Sequence, residues 1–470
     1  MIIDLDYKMH LMPLHHLEMK EKTMKEREKL HHRKNLTSFQ IILLGFAAII
    51  LIGSVLLMLP FATKDGHGAA FMDALFTSTS AVCVTGLIVQ DTATYWSAFG
   101  QAVILFLIQI GGMGVVTIAV AITMASGKKV SLRQRSIMQD SVSAHKLGGI
   151  VRFTGFILKM TLLIEAAGAV LMAPVFIREF GIGKGSWYAV FHSISAFCNA
   201  GFDLMGIRSK YSSLIHYTDQ PVINLVIMSL IIIGGIGFLT WEDIGKNKLK
   251  LRRYRMQSKV ILCTTLFLIL IPALYFYFFE FASMTGGERF WASLFQSVTP
   301  RTAGFNTADL TAISETGIGI MIVLMLIGGS PGSTAGGMKT TTFAVLSSTA
   351  VAVFRRRSHT HFFGRRIEEE TVREAATILT MYLVLFLTGA FVMSKVEGLP
   401  LLTCLFETGS AIGTVGLTLG ITPELGLLSR FILIGLMYFG RVGGLTIIFA
   451  ALSGNAELSA RYPKEEMTVG

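Results

Sequence analysis

Four short segments that each contain a glycine are the residues of this chain best suited to chemistry. They are V-T-G-L, N-A-G-F, T-A-G-F and T-V-G-L, with glycines at Gly86, Gly201, Gly304 and Gly416. Glycine permits backbone angles and close approaches that a side chain forbids. A chain held open in this way can turn successive carbonyl oxygens toward a cation and replace its hydration shell. The chemistry that these segments favour is therefore coordination of an alkali ion, with four segments around one axis.

The spacing of the segments indicates an internal repeat. The glycines are 115, 103 and 112 residues apart (201−86, 304−201, 416−304). A second glycine motif follows each one, at 110–114, 233–237, 327–332 and 440–444. Two motifs that recur four times in the same order predict four copies of one unit. Each glycine also lies just after an apolar stretch that is too short to cross a membrane; these stretches are 71–84, 187–199, 290–302 and 401–414.

The elements that position these segments must cross a membrane. The chain has 470 residues, of which 52% are hydrophobic and 15% charged, and its mean hydropathy is +0.61. A soluble core of this length cannot bury so much apolar surface. Stretches near the length of a membrane span lie at 38–59, 98–125, 153–177, 221–241, 258–281, 316–329, 374–394 and 427–452.

The predicted fold is an all-α integral membrane protein with eight transmembrane helices and four re-entrant pore helices around one pseudo-fourfold pore. Each repeat is a span, a pore loop and a second span, because backbone outside a helix is tolerated in a bilayer only where it is buried or lines water. The predicted divisions are a tail at 1–37, repeats at 38–127, 148–246, 255–357 and 372–455, and a tail at 456–470.

The positive charge follows the membrane topology. The net charge is +11, and basic residues cluster at 20–34, 128–152, 246–259 and 355–373. Basic loops remain on the cytoplasmic side, so we expect a cell-membrane protein with both termini in the cytoplasm. The clusters give no reason to expect nucleic-acid binding, because their placement is explained by the lipid bilayer.

At these motifs the sequence resembles the Trk/Ktr/HKT superfamily of potassium transporters, over nearly all of residues 38–455. Within it the chain is similar to the membrane subunits of bacterial Ktr systems, because only a polar tail precedes residue 38. The resemblance implies a homodimer mounted on a cytosolic ring of nucleotide-binding, RCK-type regulatory subunits. It also implies preference for potassium over sodium, because Gly86 stands where serine accompanies sodium preference.

The predicted potassium filter has three residues from each repeat. Thr414, Val415 and Gly416 match the start of the Thr-Val-Gly-Tyr-Gly filter of potassium channels, but Leu417 replaces the tyrosine, which predicts looser discrimination. The filter residues are Val84, Thr85, Gly86, Asn199, Ala200, Gly201, Thr302, Ala303, Gly304, Thr414, Val415 and Gly416.

Residues 328–338 interrupt the sixth span, and we interpret them as an intramembrane gate. The pattern resembles a phosphate-binding loop, but Met338 separates Gly337 from Lys339, which disfavours a nucleotide site. A kink that lets helices pack is the alternative. Only this one of the four second spans is expected to break. The predicted gate residues are Gly328, Gly329, Ser330, Gly332, Gly336, Gly337 and Arg441.

Arg441 belongs to that set because it lies in the middle of the last span, where a charge is costly and normally faces a cavity or a partner. There it would raise a barrier to cations or donate to the carbonyl groups of the loop. Snorkelling to the membrane interface is the alternative, which about ten apolar or small residues on each side disfavour.

The leading functional hypothesis is a gated potassium-conducting subunit that performs no covalent chemistry. A sodium-coupled potassium symporter is the alternative, and sodium is a candidate activator. A membrane enzyme or an ATPase subunit is disfavoured, because the sequence has neither a phosphate loop nor a separate soluble domain. No cofactor is expected beyond the transported potassium ion.

Overall fold

The computed structural model describes residues 36–127, 129–141, 149–248 and 250–452. The predicted tails at 1–37 and 456–470 lie outside the described residues, apart from Leu36 and Thr37, and so do positions 453–455. All elements given below belong to the unit Ser38–Gly470.

The first repeat contains a span, a pore helix and a second span in two pieces. The span is α1, Ser38–Leu57, and the pore helix is α2, Phe71–Val82. The second span consists of α3, Ala98–Met113, and α4, Val115–Ala125, which meet at 95°. Ser97 caps α3 by accepting a hydrogen bond from the amide of Gly100. Helix α5, Leu132–Ser141, follows.

The second repeat has the same order. Helix α6, Ile150–Phe197, contains both the span and the pore helix, which are separated at Gly181, where φ is 78° and ψ is 169°. The second span is α7, Pro221–Gly235, followed at an angle of 100° by α8, Phe238–Asn247.

The third repeat departs most from a continuous second span. Helix α9, Met256–Tyr275, is the first span and runs on into a wider turn at Phe276–Glu280, and the pore helix α10 is Gly286–Val298. The second span is divided into α11, Glu315–Leu326, and α12, Thr340–Phe354. A β-hairpin follows, with β1 at His361–Phe362 paired antiparallel to β2 at Arg365–Arg366.

The fourth repeat closes the bundle. Its first span is α13, Glu369–Glu397, which ends at Gly398 with φ 69°, and its pore helix is α14, Leu401–Ile412. The second span is α15, Leu427–Val442, followed by α16, Gly444–Leu452.

The expectation that only one second span breaks is wrong. All four second spans break at the recurring glycine motif, and in three of them the chain turns within one or two residues, at Gly114 (φ 85°), Gly237 (91°) and Gly443 (91°). The positive φ angle explains why glycine stands there. The third repeat differs only in the length of its break, which occupies residues 327–339.

Each pore helix is anchored by a phenylalanine at an equivalent place. These rings are fully buried, so they exclude water and lipid from the wall behind the glycine segments. The four side chains are Phe76, Phe191, Phe295 and Phe406.

Candidate functional site

The four predicted filter glycines lie against one another in a closed ring. A Cβ atom built on Gly86 would lie 2.6 Å from the carbonyl oxygen of Ala200, and one on Gly201 would lie 2.7 Å from that of Ala303. At such distances a side chain would force the ring to shift. The close approaches run from each repeat to the next: Gly86 to Ala200, Gly201 to Ala303, Gly304 to Val415, and Gly416 back to Thr85.

The backbone of each segment alternates between left-handed and other conformations. The residue two positions before each glycine has a positive φ although it is not glycine, which is an uncommon and strained conformation. Alternation of this kind lets successive carbonyl groups face the same side of the chain. The residues are Val84 (φ 51°), Asn199 (58°), Thr302 (64°) and Thr414 (50°), and the glycines have φ angles of 94°, 69°, 82° and 92°.

The amide groups of the segments point away from the ring and are satisfied by the pore helices. The amide of Thr85 donates to Ser80 O at 2.8 Å, and that of Val415 donates to Ser410 O at 2.8 Å. The segments of repeats two and three make the equivalent bonds from Ala200 to Ser195 O (2.8 Å) and from Ala303 to Thr299 O (3.0 Å).

The carbonyl groups of the segments have no such partners. Within the part of the chain that the structure describes, none of the carbonyl oxygens of the predicted filter residues accepts a hydrogen bond, although all of these residues are buried. Buried carbonyl oxygens without donors are costly. A dehydrated alkali cation supplies the missing partner, so the arrangement fits an ion of that class.

Sequence reasoning missed the hydroxyl groups behind the ring. Ser80 and Ser410 each accept a hydrogen bond at 3.0 Å, from the amides of Gly86 and Gly416. In repeats two and three the hydroxyls instead donate to a carbonyl of the returning chain, from Ser195 to Phe202 and from Thr299 to Phe305. A serine or threonine five or six residues before each glycine was the available signal.

The predicted gate loop lies directly against two filter segments. Thr334 Oγ1 is 3.0 Å from Phe197 O and 3.1 Å from Asn199 Oδ1, so its hydroxyl donates to one of them at a time. A Cβ atom on Gly336 would overlap the side chain of Thr414, and one on Gly337 would lie 2.9 Å from Gly413 O. The loop therefore occupies the space next to the filter.

Backbone hydrogen bonds hold the loop to repeats two and four. Ser330 donates to Gly235 O at 2.9 Å, and Phe238 donates to Gly332 O at 2.7 Å. Gly337 donates to Gly440 O at 3.1 Å.

The remaining predicted gate residues bond within the third repeat. Gly329 donates to Gly336 O at 3.3 Å and accepts from Thr340 N at 3.0 Å. Gly328 packs against Gly337, because a Cβ atom built on it would lie 3.0 Å from the Cα atom of that glycine. The loop is thus a bonded structure, although its side chains are small.

Arg441 joins the loop to the first repeat. Its guanidinium donates to the carbonyl oxygens of Thr334 and Gly111, and to that of Gly112 at 3.1 Å. Two further carbonyl groups of the loop, those of Ala335 and Gly336, accept from Lys339 Nζ at 3.0 and 3.4 Å. Both cations border a cavity of about 230 Å³. The guanidinium of Arg441 thus lies among backbone carbonyl groups of the first and third repeats.

Acidic residues near the pore helices have structural partners. Glu407 is fully buried and accepts from the hydroxyl of Thr422 at 3.1 Å. Glu165 accepts from Gln109 at 3.2 Å. Hydrogen bonding accounts for both positions, and neither carboxylate belongs to the ring.

A family model described as TrkH, cation transport protein, matches residues 16–458. The chain belongs to this family. The resemblance to the Trk/Ktr/HKT superfamily is confirmed, and membership in a family of cation transport proteins makes the chain an integral membrane protein.

Individual members of the TrkH family are similar over most of their length. The potassium/sodium uptake protein NtpJ of Enterococcus hirae is 39% identical over 449 residues, which are 93% of this chain and 98% of that protein. The Ktr system potassium uptake protein B of Bacillus subtilis is 38% identical over 451 residues, which are 95% and 99%.

The fold of the TrkH family is also found among solved structures. The crystal structure of the potassium transporter TrkH from Vibrio parahaemolyticus matches with a TM-score of 0.71 and 22% identity, over 89% of this chain and 85% of that one. At this identity the match concerns the fold, and the predicted fold class of membrane–pore-loop–membrane repeats is confirmed.

Proposed function

We propose that this chain is the potassium-conducting membrane subunit of a bacterial uptake system. The observation that carries the proposal is the closed ring of glycine segments, in which buried carbonyl groups lack donors and amide groups are bonded outward. A ring of this kind replaces the hydration shell of an ion without covalent chemistry. The names of the Enterococcus hirae and Bacillus subtilis relatives support potassium as the ion.

Selectivity in this proposal belongs to the filter residues of all four repeats. The ring is built from three residues of each repeat and has no Tyr-Gly extension, since Leu417 follows Gly416. Fewer coordinating carbonyl groups hold the ion less completely, and the expected preference for potassium is real but weaker than that of a potassium channel.

The gate in this proposal is the loop at 328–338, together with Arg441. The loop lies against Asn199 and Thr414, so conduction requires it to move. Its bonds to other repeats let a relative movement of those repeats change its position. The guanidinium of Arg441 adds a positive charge in a site of low dielectric constant, where it repels a passing cation more strongly than in water.

Regulation in this proposal comes from a second subunit. Relatives that are named as proteins of a Ktr system support a multi-component assembly. We propose a homodimer on a cytosolic nucleotide-binding ring of RCK type, with both termini of the chain in the cytoplasm. Such a partner shifts the gate only by binding one state of the membrane subunit more tightly than the other.

A sodium-coupled potassium symporter is the second candidate. The observation in its favour is the name of the Enterococcus hirae relative, which includes sodium as well as potassium. A purified protein that moves potassium only when a sodium gradient is present would favour the symporter. Flux that continues at zero sodium, and rises when sodium is added at equal concentrations on both sides, would make sodium an activator.

The test is the ratio of potassium to sodium flux in liposomes for the wild type and for Gly86→Ser. A side chain at Gly86 meets Ala200 O and changes one quarter of the ring. We expect Gly86→Ser to lower the potassium preference by about tenfold, in a protein that still elutes as a single species. An unchanged flux ratio would contradict the filter assignment.

A further inference from the structure

A basic cavity and an apolar cavity adjoin each other where α9 begins. The basic cavity has a volume of about 500 Å³, and the apolar one a volume of about 280 Å³. They share Arg252, Tyr254, Lys259 and Phe363 as lining residues. We propose that together they bind one anionic phospholipid, with its phosphate in the basic cavity and an acyl chain in the apolar one.

The basic cavity offers charge that the protein itself does not neutralise. Arg252, Arg253 and Arg365 line it and make no ion pair within the described part of the chain. Arg255 is different, because it pairs with Glu242 at 2.9 Å. Three unpaired arginines around one cavity favour an anion, and a phosphodiester matches the guanidinium donors.

The start of α9 borders the same cavity, but a carboxylate of the protein already caps it. Met256, Gln257 and Ser258 form the first turn of the helix and line the same cavity. Amide groups at a helix N-terminus favour negative charge. The carboxylate of Asp243 already takes this place, since it accepts from the hydroxyl of Ser258 at 2.6 Å and from the amide of Arg255 at 3.0 Å, so the arginines remain to bind the ligand.

The β-hairpin closes the other side of the cavity. Phe363 and Gly364 form its two-residue turn with φ angles of 47° and 76°, as the turns typical of tight hairpins require. Phe363 is 56% exposed, and the centroid of its ring lies 5.8 Å from Lys259 Nζ. An exposed aromatic ring beside a cation suits the boundary between head groups and hydrocarbon.

The apolar cavity shows why the ligand is a lipid and not a free phosphate or an acidic protein. Its lining includes Leu262 and the exposed Cys263 of α9. From there an exposed apolar stripe continues along the same face of α9 at Leu266, Phe267, Leu270, Ile271 and Leu274. A hydrocarbon chain that starts in the cavity therefore has an apolar path into the bilayer, which neither alternative ligand uses.

The test is lipid binding to the full-length protein in detergent, measured by native mass spectrometry. The triple variant Arg252→Gln, Arg253→Gln, Arg365→Gln should bind phosphatidylglycerol roughly 100-fold more weakly than the wild type, given the usual contribution of each basic residue. The control variant Arg355→Gln, Arg356→Gln, Arg373→Gln removes the same charge from residues that line neither cavity, and it should bind like the wild type.

A second variant tests the chain-binding half without touching the charges. Cys263→Trp fills the apolar cavity, so it should weaken phosphatidylglycerol binding and leave binding of inorganic phosphate unchanged. Equal binding of phosphatidylcholine and phosphatidylglycerol by the wild type would overturn the proposal. A Cys263→Trp variant that binds phosphatidylglycerol like the wild type would also overturn it and would indicate a site for free phosphate. A triple variant that still binds the lipid would overturn it as well and would indicate that the arginines bind a protein partner.

Discussion

The amide groups of each glycine segment are bonded to its own pore helix, whereas the loop at 328–338 is bonded to other repeats as well as within its own. Thr85 and Val415 donate to residues five positions earlier in the same repeat. Thr334 and Gly337 bond instead to groups of repeats two and four, and Arg441 reaches the loop from the fourth repeat. A segment bonded within its own repeat keeps its shape when repeats shift, while a segment bonded between repeats must follow them. The glycine segments are therefore preorganised, whereas the loop follows a relative movement of the repeats.

The largest expected effect comes from breaking the filter ring itself. In Gly416→Ala the new methyl group overlaps Thr85 O, and we expect potassium flux to fall by about 100-fold or more, since the ring cannot close. The matched control is Gly420→Ala, because Gly420 has nearly the same φ (93° against 92°) but no atom within 4 Å of the new Cβ. Equal losses in both variants would show that backbone strain, and not the ring, is responsible.

Shortening the loop should have the next largest effect, in the opposite direction. Removing residues 331–333 deletes a turn whose ends are already close, since Ser333 Oγ donates to Ser330 O at 2.7 Å. It also removes the acceptor of the bond from Phe238. We expect basal potassium flux without a regulator to rise about tenfold, with the filter's ion preference unchanged. If the deletion variant folds and conducts like the wild type, the gate hypothesis is wrong and the loop is only a kink that lets helices pack.

Arg441→Ala removes one side chain that bonds to the loop, and its effect on basal flux should be smaller than that of the deletion. The variant loses charge-assisted bonds to Thr334 and Gly111 and also loses a positive charge. We expect about a fivefold rise in basal flux. Arg441→Lys keeps the charge but cannot reach both carbonyl groups at once, so an intermediate flux would assign the effect to the bonds. Flux equal to that of the wild type in both variants would argue against a role in gating.

The smallest expected effect comes from one hydroxyl group. Thr334→Val preserves shape but removes the donor to Phe197 O or Asn199 Oδ1, and basal flux should rise about twofold. Ser333→Ala is the control, because its hydroxyl bonds only within the loop. Potassium flux into liposomes is measured for both variants. If Ser333→Ala raised basal flux more than Thr334→Val, the bonds within the loop, and not those between repeats, would control flux.

Part of the site was predictable because its requirements act on residue type. Gly86, Gly201, Gly304 and Gly416 occupy positions where positive φ and a neighbouring carbonyl group strongly disfavour a side chain. Because each repeat has the same requirement, glycine recurs in the sequence at similar intervals. Phe76 and its equivalents likewise repeat because each pore helix must bury one large ring.

The sequence marks where the second spans break, but it does not show that all four of them break. The motif at Gly114, Gly237 and Gly443 recurs in the sequence, but a glycine pair in a membrane helix is equally typical of close helix packing. Only the observed φ angles distinguish a turn from a packed helix. Proline and extra glycines made the third break visible, and the other three lack that signal.

The sequence by itself determined the membrane fold, its four repeats and the positions of the glycine segments, because hydrophobic length and backbone freedom are local properties of residues. The tertiary structure alone decided that Gly416 closes the ring against Thr85, and that Arg441 donates to Gly111 and to the loop. The contact of Arg441 with Gly111 joins residues 330 positions apart, and its contact with Thr334 in the loop joins residues 107 apart. No periodic pattern records them, since they depend on how four separate repeats pack around one axis.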